Sequence, residues 1–196
     1  MGLTLSFPPT VTAYLAVVAA VALLRFAELA ISARHRRALA ADGATAVHEP
    51  HFKWMALLHT AILAGAALEV VLLHRPFVPA LAMPALVLLV VSTWTRWWVI
   101  QTLGRHWNVG VMDSTRQGVV DTGPYRWVRH PNYTAVFVEL LALPLIHTAW
   151  ITALLGTVAH VFVLRARVAS EDRVLLANAD YAARMGRKPR FLPTGP

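Results

Sequence analysis

Long apolar runs constrain this chain more than any other feature. Residues 11–31, 54–73 and 77–100 are mostly apolar, and a fourth such stretch runs from Tyr133 to about Leu164. A helix that crosses a bilayer needs about 20 such residues, because every backbone polar group inside hydrocarbon must be bonded within the segment. Pro8-Pro9-Thr10 opens the first run, and Pro79 and Pro84 lie near the start of the third. A proline's fixed φ and missing N–H suit a helix's first turn. His74-Arg75-Pro76 leaves room for a tight turn between the second and third runs. The fourth run is too long for one span, and Leu143-Pro144 with His147-Thr148 in its middle divides it into a helical hairpin. The expected fold is all-α: a polytopic membrane protein with about five transmembrane helices, in one domain spanning residues 1–196. Three helices lie in residues 1–100 and a hairpin in residues 101–196.

Composition agrees. Of the 196 residues, 57% are hydrophobic and 14% charged, with a mean hydropathy of +0.54; an average soluble domain carries about 25% charge. Too little polar surface remains to face water, which excludes most soluble enzymes and any disordered or collagen-like chain. Eighteen Lys+Arg against ten Asp+Glu leave a net charge of +8. These cations sit between the apolar runs and form no single stripe, so they report membrane topology, and no nucleic-acid partner is expected. Arg34, Arg36, Arg37 and Lys53 flank the first loop, and Arg96, Arg105, Arg116, Arg126 and Arg129 flank the third. Arg165 to Arg190 crowd the C-terminal segment, whereas the opposite side carries Arg75. The positive-inside rule then puts the N-terminus outside and the long loop and C-terminus in the cytoplasm. Nothing positive precedes the first run, so no cleaved signal peptide is expected. There is no cysteine, which excludes disulfides, thiol nucleophiles and Cys-ligated metals. Alanine and arginine bias, with Lys53 and Lys188 the only lysines, suggests a GC-rich bacterial genome and hence an inner membrane.

Several polar features read as structural. Trp94, Trp97, Trp98 and Trp107 cluster near the end of the third run, as headgroup-level anchors do. His48-Glu49-Pro50-His51 matches no metal-ligand spacing on one helix face, so no metal is expected. Arg25 and Glu28 lie one turn apart and can pair. Glu69 and Glu139 fall inside apolar runs, where a carboxylate marks either function or a hydrogen bond to a neighbouring helix. No glycine pattern matches a nucleotide fingerprint.

The informative stretch is residues 118–133, GVVDTGPYRWVRHPNY. Gly123-Pro124 makes a turn, and Pro131 suits the first position of the next helix. Arg129, His130 and Tyr133 then surround a helix N-terminus, a natural seat for a carboxylate or phosphate, or else a basic patch for lipid headgroups. A second cluster, Arg165, Arg167, Glu171, Asp172 and Arg173, follows the hairpin. Arg167 and Glu171 share a helix face, either as a surface ion pair or as a lid over the first cluster. Together the two outline a site at the bilayer–cytosol boundary, reached by a soluble cofactor from the loops and by a lipid from between the helices.

Gly-Pro-Tyr-x-x-x-Arg-His-Pro-x-Tyr at residues 123–133 resembles the signature of the isoprenylcysteine carboxyl methyltransferase and phospholipid methyltransferase group. Arg167-x-x-x-Glu171-Asp172-x-x-Leu175, followed by Tyr181 and Pro193, resembles that group's C-terminal signature. The likeness covers roughly residues 100–193. It implies an integral membrane methyltransferase that uses S-adenosylmethionine, with the cofactor-binding and catalytic half at residues 101–196. It places the cofactor on Gln117, Gly118, Val119, Val120, Tyr125, His130, Pro131, Asn132, Tyr133 and Glu171, and catalysis on Arg167, Glu171 and Arg129. Two departures stand out: Asp172 replaces the second glutamate of an acidic pair, and Ala179-Asp180 replaces Phe-Gly before Tyr181.

These residue types suit methyl transfer. A sulfonium donor needs no metal, tyrosine rings can face a cation, and aligning nucleophile, methyl and sulfur is chiefly positioning. Arg167 can orient a carboxylate or steady an oxyanion, and Glu171 can hold the cofactor or take a proton. The expected acceptor is a lipophilic small molecule, methylated at a carboxylate or hydroxyl of a prenyl-type or phenolic lipid. The alternatives are N-methylation of a phospholipid headgroup, an NADPH-dependent membrane reductase of similar layout, and a non-catalytic lipid-binding scaffold.

Overall fold

The computed structural model describes residues 7–46, 52–110, 112–113 and 118–193. It is mostly helical: α1 Pro9–Ala41, α2 Phe52–Leu72, α3 Pro79–Leu103, α4 Pro131–Leu145, α5 Trp150–Leu176 and α6 Ala179–Met185. A two-residue antiparallel pairing of β1 (Thr45–Ala46) with β2 (Met112–Asp113) ties the α1–α2 loop to the α3–α4 loop. Among the described residues, four helices are long and apolar enough to cross a membrane: α1, α2, α3 with the turn after it, and α5. α4 has 15 residues, about 22 Å at 1.5 Å per residue, short of the roughly 30 Å hydrocarbon core.

The prolines start the helices where the sequence reading places them. Pro9, Pro79 and Pro131 each occupy the first turn of α1, α3 and α4. Two ends differ. α1 runs ten residues beyond Ile31 through its basic tail to Ala41, and α5 continues past Leu164 to Leu176. Both extensions trade apolar for charged residues without a helix breaker, so the backbone ladder goes on while the hydropathy stops.

Glu69 on α2 explains how α5 begins. Its carboxylate accepts from the backbone N–H of Ile151 (3.1 Å) and Thr152 (2.7 Å) and from the Thr152 hydroxyl, and Arg75 pairs with it at 2.8 Å. The N-terminal N–H groups of α5 are thus capped from another helix. Gly156 lets the two helices close: a Cβ there would lie 2.7 Å from Ile62 Cγ1.

The main core joins Val11, Tyr14, Val18 and Val21 of α1 to Ala66 and Val70, Ala85 and Leu89, and Ala142, Leu143 and Ile146. It fills the bundle end that holds the α2–α3 and α4–α5 turns. The other end, with the long α3–α4 loop, is hollow. The outer faces carry exposed large apolar side chains such as Leu23, Phe26, Leu72 and Phe162, a surface suited to lipid rather than water.

Candidate active site

Residues 160, 164, 167 and 171 recur at helical spacing and form one face of α5. That face carries His160, Leu164, Arg167 and Glu171 along the hollow end. Arg167 is buried at 4% exposure. Its Nε donates to the Tyr133 hydroxyl at 2.6 Å, and its Nη2 donates to the Val109 carbonyl. The Tyr133 hydroxyl donates in turn to Glu171, so a tyrosine from α4 joins the two α5 residues that the sequence sets four apart. The Arg167 guanidinium also lies 5.7 Å from the Tyr133 ring centroid.

His130 precedes α4 as its N-cap. Its Nε2 is 2.8 Å from Asp172 Oδ1, and its ring packs between Tyr133 and Phe191. A carboxylate only accepts, so Nε2 carries the proton. In the neutral ring, Nδ1 is left as an acceptor on the Glu171 side, 4.0 Å from that carboxylate. Asp172 is also bound by Arg190 at 2.8 Å and by Arg129 at 3.5 Å.

A continuous cavity of about 530 Å³ opens around these groups. Its polar lobe is lined by Gly118, Val119, Val120, Tyr125, Arg129, His130, Tyr133, Glu171 and Tyr181. Its apolar lobe runs between α1 and α2, past Val18, Ala22, Phe26, Leu63 and Ala67. On α5, Arg167 stands between Glu171 of the first lobe and His160 of the second. Outside the bilayer helices, burial and the neighbouring Glu171 carboxylate push the Tyr125 phenol well up from its ordinary value, and push Tyr181 up as well. Both stay protonated as hydrogen-bond donors.

Most of the expected site residues meet here. Gly118, Val119, Val120, Tyr125, Arg129, His130, Asn132, Tyr133, Arg167 and Glu171 all line the cavity. Pro131 is buried as the first residue of α4 and shapes the backbone. Gln117, like His48-Glu49-Pro50-His51, lies outside the described residues. Gly123 has φ +53, and a Cβ on it would lie 2.5 Å from Thr102 Oγ1, so the turn before the site needs glycine twice over.

Four expectations require correction. The N–H groups around the start of α4 are not all open to an anion, because Arg129 and His130 N–H donate to the Pro189 and Arg190 carbonyls and Tyr133 and Thr134 N–H turn back to His130. The C-terminal segment takes up two of these N–H groups. Trp107 is no headgroup anchor: it is 2% exposed and lines the cavity. Arg96 does not flank a loop; it is buried in α3, with a two-point contact to Glu28 at 2.8 and 2.6 Å and a weaker bond to Asn132. Arg167 and Glu171 form no surface pair, because they belong to the interior Tyr133 network. Arg25 does pair with Glu28 at 2.8 Å and approaches Glu139 at 3.6 Å. The sequence reading missed Asp172 as the partner of His130, and missed His59 and His160 in the apolar lobe. For the latter, position on a cavity-facing helix stripe was the available signal.

Residues 85–177 match the model of the isoprenylcysteine carboxyl methyltransferase family. Over 152 residues the chain is 30% identical to YpbQ, an uncharacterized protein of Bacillus subtilis, covering 77% of this chain and 89% of the relative. This chain belongs to the isoprenylcysteine carboxyl methyltransferase family. An uncharacterized protein of Haemophilus influenzae is 28% identical over 153 residues, 78% of this chain and 88% of its own length. The match spans α3 from Ala85, the loop, α4 and α5, which includes the two site clusters. The family is one of methyltransferases, which supports an enzyme, and the four apolar helices support an integral membrane protein.

Proposed function

We propose that the protein transfers a methyl group from S-adenosylmethionine to an oxygen of an apolar, membrane-dissolved acceptor: a carboxylate or hydroxyl of a prenyl-type or phenolic lipid. One observation carries this reading, the single cavity that joins a polar lobe to an apolar one with Arg167 between them. The donor set of the polar lobe fits the cofactor. Gly118 has open space around it, Glu171 can accept from hydroxyls or face a cation, and the buried Arg129 Nε has no partner among the described residues and suits a carboxylate. When bound, the sulfonium supplies the electrophilic methyl. The chain's own residues hold, align and exclude water. Tyr133 fixes Glu171 and Arg167 relative to each other, Asp172 fixes the His130 ring, and Arg167 offers its charge to an oxyanion at the waist. A cation there favours an oxygen nucleophile over an amine, which supports O-methylation over headgroup N-methylation.

In this reading α4 and α5 make the fourth and fifth passes as a hairpin whose α4 arm is short, and the site end of the bundle faces the cytoplasm. The acceptor enters from the bilayer between α1 and α2. The test is transfer of tritiated methyl from S-adenosylmethionine into organic-extractable lipid of membranes containing the protein. Label released by mild base marks an ester and a carboxylate acceptor; base-stable label marks an ether and a hydroxyl acceptor. No label above that of an Arg167→Ala control would contradict the reading.

A further inference from the structure

The apolar lobe contains two imidazoles with buried ring nitrogens that have no hydrogen-bond partner among the described residues. His59 of α2 and His160 of α5 stand with ring centroids 5.3 Å apart, and both line the cavity. His160 is 1% exposed, and among the described residues neither of its ring nitrogens nor His59 Nε2 has a hydrogen-bond partner. Phe137 packs against His160, and the apolar Leu63, Ala64 and Val136 line the same cavity. A buried polar group without a partner costs free energy, and here several such atoms gather in one pocket. Buried polar groups are the exception that calls for an explanation. At this depth two adjacent imidazoles cannot both be charged without a large desolvation cost. Each neutral ring then offers one N–H and one lone pair, together a receptor for a group that can donate and accept.

Their place along α5 says which part of a ligand they meet. His160 lies seven residues from Arg167 on the same helix face, about 10 Å deeper at 1.5 Å per residue. That is too far for the methylated oxygen at the waist and well placed for a second group farther along the same molecule. We propose that His59 and His160 form a subsite for a neutral oxygen function, a hydroxyl or carbonyl, carried by the acceptor about 10 Å from its methylated end. The inference rests on the methyl-transfer reading for which end lies at Arg167. It narrows the acceptor class: a tail of pure hydrocarbon leaves the pair unsatisfied, and an oxygenated tail satisfies it.

The test uses two probes, decanoate and ω-hydroxydecanoate, titrated calorimetrically into the detergent-purified full chain with and without S-adenosylhomocysteine. Wild type binds the hydroxylated probe at least as tightly as decanoate. In His160→Leu and His59→Leu the hydroxylated probe falls at least tenfold behind, because its hydroxyl now enters an apolar lobe without a partner, while decanoate binding holds. His160→Gln, which keeps a donor and an acceptor, retains most of the wild-type ratio and serves where the leucine variants fail to fold. The proposal is overturned if wild type already disfavours the hydroxylated probe tenfold, if the leucine variants leave the ratio unchanged, or if neither probe binds saturably. Failure of S-adenosylhomocysteine to bind wild type strikes instead at the methyl-transfer reading, and the titrations without it still judge the subsite.

Discussion

Arg167, Tyr133 and Glu171 act as one unit, because the tyrosine hydroxyl accepts from the first and donates to the third. Removing Arg167 therefore takes away a charge from the waist and one support of Tyr133, but leaves Glu171 in the polar lobe. Arg167→Ala is expected to slow turnover by about 10²-fold, the scale for losing one preorganised donor, with S-adenosylhomocysteine affinity within about threefold of wild type. A rate assay beside a binding titration checks both halves. Asp172 makes a subtler case, since it does not line the cavity but holds His130 with Arg190 and Arg129 behind it. Asp172→Ala should weaken S-adenosylhomocysteine binding about tenfold by freeing the His130 ring, whereas Arg165→Ala on the same helix should not. At this scale the motif residues were legible because they fall in two short segments of distinctive spacing. Asp172 stood in the sequence as a departure from a pattern, and its role depends on a contact 42 positions away that spacing cannot show. The same holds for His59 and His160, which belong to different helices.

At the scale of elements, the hollow end depends on how α2 and α5 are fixed at the other end. Glu69 bonds two N–H groups, a hydroxyl and a guanidinium at once, so its loss leaves Arg75 and the first turn of α5 unsatisfied. Glu69→Ala should lower the thermal unfolding midpoint in detergent by several degrees, on the scale of about 3 kcal/mol for a broken buried pair. Gly156→Val should act similarly by pushing α2 from α5, since even a Cβ meets Ile62 at 2.7 Å. Scanning calorimetry measures each, and an unchanged midpoint for both would mean the α2–α5 contact contributes little. Helix starts were readable from Pro9, Pro79 and Pro131, whose backbone preference is local. The overruns of α1 and α5 were not, because hydropathy marks the membrane-fitting part of a helix and not its hydrogen-bonded length. The two-residue sheet and the C-terminal strap over α4 are backbone pairings between distant loops, which no local pattern encodes.

Over the whole molecule, the division between a packed end and a hollow end sets the direction of the site. Among the described residues four helices are long and apolar enough to span where about five were expected; the three N-terminal ones were plain in the sequence, since about 20 apolar residues in a row have few other uses, and the short α4 was harder, because Pro144 and the tight turn after it are merged with α5 in one apolar run. If the site end faces the cytoplasm, the cysteine-free chain offers a direct check. In intact cells, a cysteine introduced for exposed His74 at the packed end should react with a membrane-impermeant maleimide, and one introduced for exposed Thr122 at the site end only after lysis. The reverse pattern would invert the topology. The central claim, that the polar lobe holds S-adenosylmethionine through Glu171 and its neighbours, is tested most directly by calorimetric titration of the detergent-purified protein with S-adenosylhomocysteine, with NADPH alongside. The account predicts saturable one-to-one binding of S-adenosylhomocysteine that is lost in Glu171→Ala and no binding of NADPH; equal binding by wild type and Glu171→Ala, or binding of NADPH alone, would contradict it.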